Sequence, residues 1–221
     1  LEKAVDDHLR SKWNYLRSEQ GLRIYLQTAR DGYSLSNDRL DALAAKRKLF
    51  PKLVIRWRAF LQNKQKSQDR LFAVWRAFGQ SEPRNYQKVS ATLLSSPSDV
   101  PVFLVRNLRK GAPKSFADVV SWYAREFASA LSKVQGGNDR KGIMTFVRSS
   151  TFPVGFDFAG VERFFDTKAR NKTNSLRDKV SKHHAEHPGS PARAMTLQDD
   201  ANPRNPRIFE RGNPSNLGRE V

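Results

Sequence analysis

Eight basic side chains without an acidic neighbour form the clearest chemical pattern in this sequence. Residues 42–68 contain no aspartate or glutamate, and their basic residues are Lys46, Arg47, Lys48, Lys52, Arg56, Arg58, Lys64 and Lys66. Over the whole chain, 40 basic residues against 22 acidic ones give a formal net charge of +18. A protein with this charge attracts polyanions such as nucleic acid or sulfated glycans. The sequence therefore predicts a polyanion-binding face, with a merely solvated helix face as the alternative. Because these residues alternate with an apolar stripe, we expect most of a subset of them on the solvent side of their helices: Lys46, Arg47, Lys52, Arg56 and Arg58.

Metal binding is the second chemistry that the sequence suggests. His183 and His187 are four residues apart, so on a helix they would share one face and could bind one metal ion. No third ligand is indicated, and histidines near a helix C-terminus also interact favourably with the helix dipole. Asp199 and Asp200 could bind a cation, but loop aspartates more often hydrogen-bond their own backbone. We therefore predict no metal site.

Catalytic and cofactor motifs are missing from the sequence. It has no G-x-S-x-G, no glycine-rich phosphate loop and no H-E-x-x-H. The absence of cysteine excludes disulfides, thiolate zinc sites and covalent haem attachment through C-x-x-C-H. No apolar run approaches the roughly 20 residues of a membrane span. We expect no catalytic residue, no cofactor and no transmembrane segment in this piece.

Apolar residues at helical spacing organise most of the chain. Two stripes are the clearest, and we expect their members to be buried: Phe50, Leu53, Trp57 and Phe60, then Phe116, Val120, Tyr123 and Phe127. Trp57 and Trp75 could instead be stacking platforms for a ligand, but aromatic residues at helical spacing are more often core. A thinner apolar stripe predicts a long helix that begins at Asp157 and ends near His187.

The last 31 residues differ from the rest because prolines exclude a long helix there. Two short runs, Ala194–Leu197 and Arg207–Glu210, look like strands around a loop at Asp199–Pro206. We therefore predict a mostly α-helical fold, an irregular array of helices with a C-terminal extended or β-hairpin-like tail. The expected divisions are a helical subdomain at 1–110, a second at 111–190 that ends in the long helix, and the extended segment 191–221.

This tail carries a family resemblance. Its pattern P-A-R-A-M … P-R-x-P-R-I-F-x-R-G-N-P … L-G-R-E-V resembles the start of the C-terminal conserved domain of unknown function in planctomycete cytochrome c-type domain-containing proteins. The resemblance implies that the chain is an internal piece of a larger, exported protein. It also implies that Arg211, Gly212, Asn213 and Pro214 form a structural signature turn. It supplies no activity, and any haem of that protein would lie outside this piece.

Three functions remain open from the sequence. The first is a non-catalytic module that links other domains of the same polypeptide at a cell surface, as the resemblance implies. The second is weak polyanion binding through the basic face, with an anionic glycan favoured over nucleic acid if the protein is exported. The third is a fragment of an enzyme whose active site needs further sequence.

Overall fold

The computed structural model describes residues 1–67, 69–132, 138–189, 207–209 and 217–220. The predicted α-helical character is confirmed, since helices account for most of these residues. In the described ranges the α-helices are α1 (Glu2–Arg17), α2 (Glu19–Asp31), α3 (Asn37–Lys46), α4 (Pro51–Lys66), α5 (Ala73–Gly79), α6 (Tyr86–Ser95), α7 (Val102–Lys110), α8 (Phe116–Ser132), α9 (Asn138–Arg148) and α10 (Thr167–Glu186). Shorter 3-10 helices lie at Arg70–Phe72, Pro83–Asn85, Pro97–Asp99 and Phe158–Phe164.

Local sequence explains where several helices begin. The Ser36 hydroxyl accepts the N–H of Arg39 at 3.4 Å and caps α3, while Pro51 is the first residue of α4. Before α8, the carboxylate of Asp118 accepts the N–H of Ser115 at 2.9 Å. These contacts satisfy N–H groups that have no partner within the helix, so polar residues at these positions fix the helix starts.

The chain divides into two compact units, Leu1–Lys182 and His183–Val221. In the first unit α2 lies at the centre and packs against both α4 and α8, while α3 packs against α4 and α9 against α8. The contact of α2 with α8 joins residues on both sides of the subdomain boundary that the sequence suggested at residue 110. All eight residues of the two predicted stripes are buried, with exposed fractions of 9% or less.

Aromatic rings from separate elements make up the centre of this core. Phe152, in the loop after α9, meets Trp57 and Phe60 of α4 edge-on, with ring centroids 5.2 and 5.7 Å apart. It also meets Phe127 of α8 at 5.1 Å. Trp57 has no exposed surface and Trp75 only 2%, which confirms that both belong to the core and leaves neither as a ligand platform.

The long helix begins ten residues later than the sequence predicted, so the start at Asp157 is wrong. Asp157 instead caps the 3-10 helix by accepting the N–H of Gly160 at 2.9 Å. Phe165 then turns the chain into an extended conformation. Asp166 accepts the N–H of Ala169 at 2.7 Å and starts α10. Two aspartate caps nine residues apart therefore divide the apolar stripe between a 3-10 helix and α10, although the spacing of the stripe predicts one continuous helix.

In the second unit, two short strands pair antiparallel, β1 (Arg207–Phe209) and β2 (Leu217–Glu220). The sequence predicted a different partner for β1, the run Ala194–Leu197, which lies outside the described residues, as do Asp199, Asp200 and the turn Arg211–Pro214. Leu217 and Gly218 end the run Arg211–Gly218, whose glycine, asparagine and proline residues predict turns rather than a strand. β1 is closer in sequence to β2 than to Ala194–Leu197. The backbone hydrogen bonds of this pairing stabilise β2 as a strand, although its local composition does not predict one.

Candidate polyanion-binding surface

The eight basic residues of segment 42–68 separate into two groups in the structure. Lys46, Lys48, Lys52 and Lys66 are exposed, whereas the remaining four are half-buried. The half-buried group is Arg47, Arg56, Arg58 and Lys64, and each of them bonds to another part of the protein. Three of these were expected on the solvent side of their helices. That expectation is wrong for Arg47, Arg56 and Arg58, because their half-buried guanidinium groups bond to other elements of the fold.

The contacts of the half-buried arginines are specific. Arg47 donates to the Thr28 hydroxyl and the Asp31 carboxylate of α2, both at 2.8 Å. Arg56 donates to the carbonyls of Ser150 at 2.7 Å and Phe152 at 3.3 Å, in the loop after α9. Burial, and then the neighbouring Arg163, lower the pKa of Arg56. Arg47 thus ties the end of α3 to α2, and Arg56 ties α4 to the loop after α9, so the primary role of both side chains is structural.

Arg58 and Lys64 also act within the fold. Arg58 donates to the carbonyl of Leu35 at 2.7 Å and to the side chain of Asn37, which ties α4 to the connection between α2 and α3. Lys64 pairs with the Asp69 carboxylate at 2.5 Å. The exposed lysines are therefore the side chains of this segment that a polyanion reaches most easily.

Three of the exposed lysines cluster around the turn between α3 and α4. Lys46 ends α3, Lys48 lies in the turn and Lys52 is in the first turn of α4. Lys48 has a φ of 57°, and among the described residues it is the only one other than glycine with a positive φ. The N–H of Leu49 returns to the Ala44 carbonyl at 2.9 Å. This closure normally uses glycine or asparagine at the position of Lys48.

A second group of lysines lies on α10, and the sequence analysis missed it. Lys168, Lys172 and Lys179 are exposed, and their spacing places them within about 40° of one another around the helix. The row extends about 16 Å along the helix axis. None of the three forms an ion pair with a carboxylate in the parts of the chain described. Spacing of lysines at i, i+4 and i+11 would have identified the row from the sequence.

The positive potential of the α10 row also acts on a neighbouring residue. His8 of α1 is half-buried and has a lowered pKa, because burial disfavours its charged form and Lys12 and Lys172 repel a further positive charge. Lys12 of α1 thus adds to the field around Lys172. We call Lys168, Lys172 and Lys179 the α10 lysine row, and Lys12 of α1 acts on His8 together with it.

The histidine pair does not assemble a metal site within the described residues. The rings of His183 and His187 are 4.9 Å apart, as expected for residues four apart on a helix. Nδ1 of His187 accepts the N–H of Gly189 at 3.1 Å, which occupies one of its two ring nitrogens. Across the described ranges, no three His, Cys, Asp or Glu side chains come together around a possible ion.

Comparison with known proteins adds no further assignment. No family model, curated protein or solved structure matches the chain. Among the helices in the described ranges, none combines the length and the apolar character needed to cross a bilayer.

Proposed function

We propose that the chain is a non-catalytic helical module that binds polyanions through exposed lysines. The observation that carries the proposal is the α10 lysine row, in which Lys168, Lys172 and Lys179 share one face without carboxylate partners in the described residues. The lysines of the α3–α4 turn supply a second group of charges. A polyanion near either group releases its condensed counterions, and this release provides most of the binding free energy.

The proposed binding depends on charge rather than on base or sugar identity. Lysine ammonium groups act as point charges and carry no geometric readout of sequence. We therefore expect heparin and duplex DNA to bind, with affinity that falls steeply with salt. For duplex DNA each neutralised phosphate contributes about 0.9 to the slope of log affinity against log salt. Loss of three lysine contacts should reduce that slope by about 3.

The experiment compares two triple variants of equal charge. K168E/K172E/K179E reverses the α10 lysine row, and K88E/R106E/K114E reverses three exposed residues elsewhere. Each lowers the formal net charge from +18 by 6 to +12. Salt titrations with heparin and with duplex DNA should show a large loss only for the α10 variant. Equal losses would mean that net charge alone drives binding, and salt-insensitive binding would refute the proposal.

We also propose that this module links domains within a larger exported protein. The support is the resemblance of residues 191–221 to the planctomycete family, and other domains of that polypeptide would be its partners. An antibody against the chain should then detect, in the exported fraction of source cells, a polypeptide much larger than 25.2 kDa. A native protein of that mass inside the cell would contradict this and would favour nucleic acid over a glycan as the polyanion.

A further inference from the structure

A cleft of about 650 Å³ lies where α1, α2 and α8 meet, and no lysine is among its lining residues. Its volume falls within the range of pockets that bind small molecules, about 300–1,000 Å³. The side chains that matter for its chemistry are Trp13, Arg17, Ser18, Glu19, Arg125 and Ser129.

The junction of α1 and α2 shapes one wall of the cleft. The Ser18 hydroxyl donates to the Tyr15 carbonyl of α1 at 2.8 Å and accepts the N–H of Gly21 at 3.0 Å. A Cβ atom on Gly21 would lie 1.9 Å from the Tyr15 oxygen, so the close approach of the two helices requires glycine there. The sequence therefore holds Arg17 and Glu19 on either side of a tight corner.

Arg17 is held in a fixed orientation at this corner. Its guanidinium carbon lies 4.4 Å from the centre of the Trp13 ring. One terminal nitrogen donates to the Leu131 carbonyl at 3.2 Å and the other to the Val154 carbonyl at 3.4 Å. A guanidinium has five N–H donors, so these two bonds leave donors available. Such a fixed cation loses little side-chain entropy when it binds an anion.

Among the described residues, no carboxylate neutralises the charge of Arg17. Its partners are neutral carbonyls, and no carboxylate in the described ranges forms an ion pair with it. Burial, and then repulsion from Arg148, lower its pKa. An anion in the cleft would offset both effects, because it would favour the charged guanidinium.

Arg125 supplies a second cation from α8. It faces Glu19 at 3.5 Å, and both side chains are about half exposed, at 62% and 48%. A pair of this length and exposure contributes little to stability, so its guanidinium can exchange Glu19 for another anion. Glu19 would then repel that anion and act as a built-in competitor.

We propose that this cleft binds an oxyanion, the phosphate or carboxylate group of a small ligand, between Arg17 and Arg125. Arginine suits this role because its planar fork matches the two oxygens of such a group. The site is distinct from the proposed polyanion surface, since none of the exposed lysines above lines it. The two proposals can therefore fail separately.

The test is calorimetric titration of the whole chain with inorganic phosphate and, separately, with acetate. R125Q should weaken binding about tenfold through loss of a charge-assisted hydrogen bond. E19Q should strengthen binding several-fold, because the competing carboxylate is gone. R106Q changes an exposed arginine on α7 in the same way and serves as the matched control. Arg17 is not varied alone because its contacts also hold the fold.

Weaker binding by R125Q together with tighter binding by E19Q distinguishes a specific site from general charge attraction. Saturable binding of either anion, with R125Q weaker, E19Q tighter and R106Q unchanged, supports the proposal. Whether phosphate or acetate binds identifies the group. K168E/K172E/K179E should leave this binding unchanged. The absence of saturable binding, or equal effects of R125Q and R106Q, would overturn the proposal whatever the polyanion experiment shows.

Discussion

Replacement of Trp57 tests both the core and an unusual feature inside it. The side chain has no exposed surface and packs edge-on against Phe60 and Phe152. Truncation to alanine should lower the free energy of unfolding by about 3–5 kcal/mol, through lost burial and a residual cavity. This is a large part of the roughly 5–15 kcal/mol that stabilises a typical domain. Urea denaturation followed by far-UV circular dichroism measures the change.

Trp57→Phe should behave differently because of the indole nitrogen. Nε1 is buried and has no acceptor among the described residues. Leaving such a group unpaired costs about 1–3 kcal/mol, which phenylalanine avoids while it fills most of the same space. We therefore expect W57F to lie within about 1.5 kcal/mol of the wild type, as volume-conserving core changes do. A W57A loss below about 0.5 kcal/mol would show that the stripe is not core. A W57F loss equal to that of W57A would show that the N–H has a partner.

Burial raises the pKa of Tyr25 and of Tyr123 well above the ordinary value of about 10. The unfolded chain therefore loses these protons first. The stabilisation from these two tyrosines is fully present below pH 10 and should fall by about 2.7 kcal/mol per pH unit above it. Tyr33, whose pKa burial raises to about 12, adds to the same fall. Urea titrations at several pH values measure the change, and a flat profile would contradict it. Lys48→Gly should raise the free energy of unfolding by about 0.5–1 kcal/mol, because glycine adopts the positive φ of this position without steric cost. Lys52→Gly removes the same charge from α4 and should lower the free energy of unfolding by about 1 kcal/mol. Equal effects of these two variants on thermal unfolding would show that the positive φ of Lys48 does not cost stability. Arg58→Ala should cost about 1–3 kcal/mol because the partly buried Leu35 carbonyl loses this donor. Lys52→Ala on the same helix should change stability by less than about 0.5 kcal/mol. Similar small losses for both variants would place Arg58 on the solvent side after all.

The helical part of the fold could be predicted because each helix carries its own pattern. The α4 stripe repeats at helical spacing, and Pro51 marks its start, so periodicity alone locates the buried face. The break between the 3-10 helix and α10 could not be predicted in the same way. Apolar residues continue across it, and only the capping bonds of Asp157 and Asp166 show where the helix stops and restarts. Capping decides between continuous and broken helices, and periodicity does not report it.

The candidate sites were predictable only in part, because the sequence does not show which charged side chains stay exposed and which bond to other parts of the fold. Segment 42–68 contains eight basic residues, but tertiary contacts determine which of them bind loops. The cleft at Arg17 and Arg125 joins residues more than one hundred positions apart, which no local pattern brings together. The α10 lysine row is the opposite case, since its spacing is local and was visible in the sequence.

The division between arginine and lysine gives a physical reason to look for function on the lysines. Arg47, Arg56 and Arg58 are half-buried and hold carbonyls or polar side chains, a task that suits a planar group with several fixed donors. The side chains of Lys46, Lys48 and Lys52 stay exposed, and none of them bonds to a described residue. Lys48 even occupies a backbone position where glycine would be more stable. A charge kept at a conformational cost is hard to explain by folding, so the turn between α3 and α4 belongs with the α10 lysine row in any test of polyanion binding.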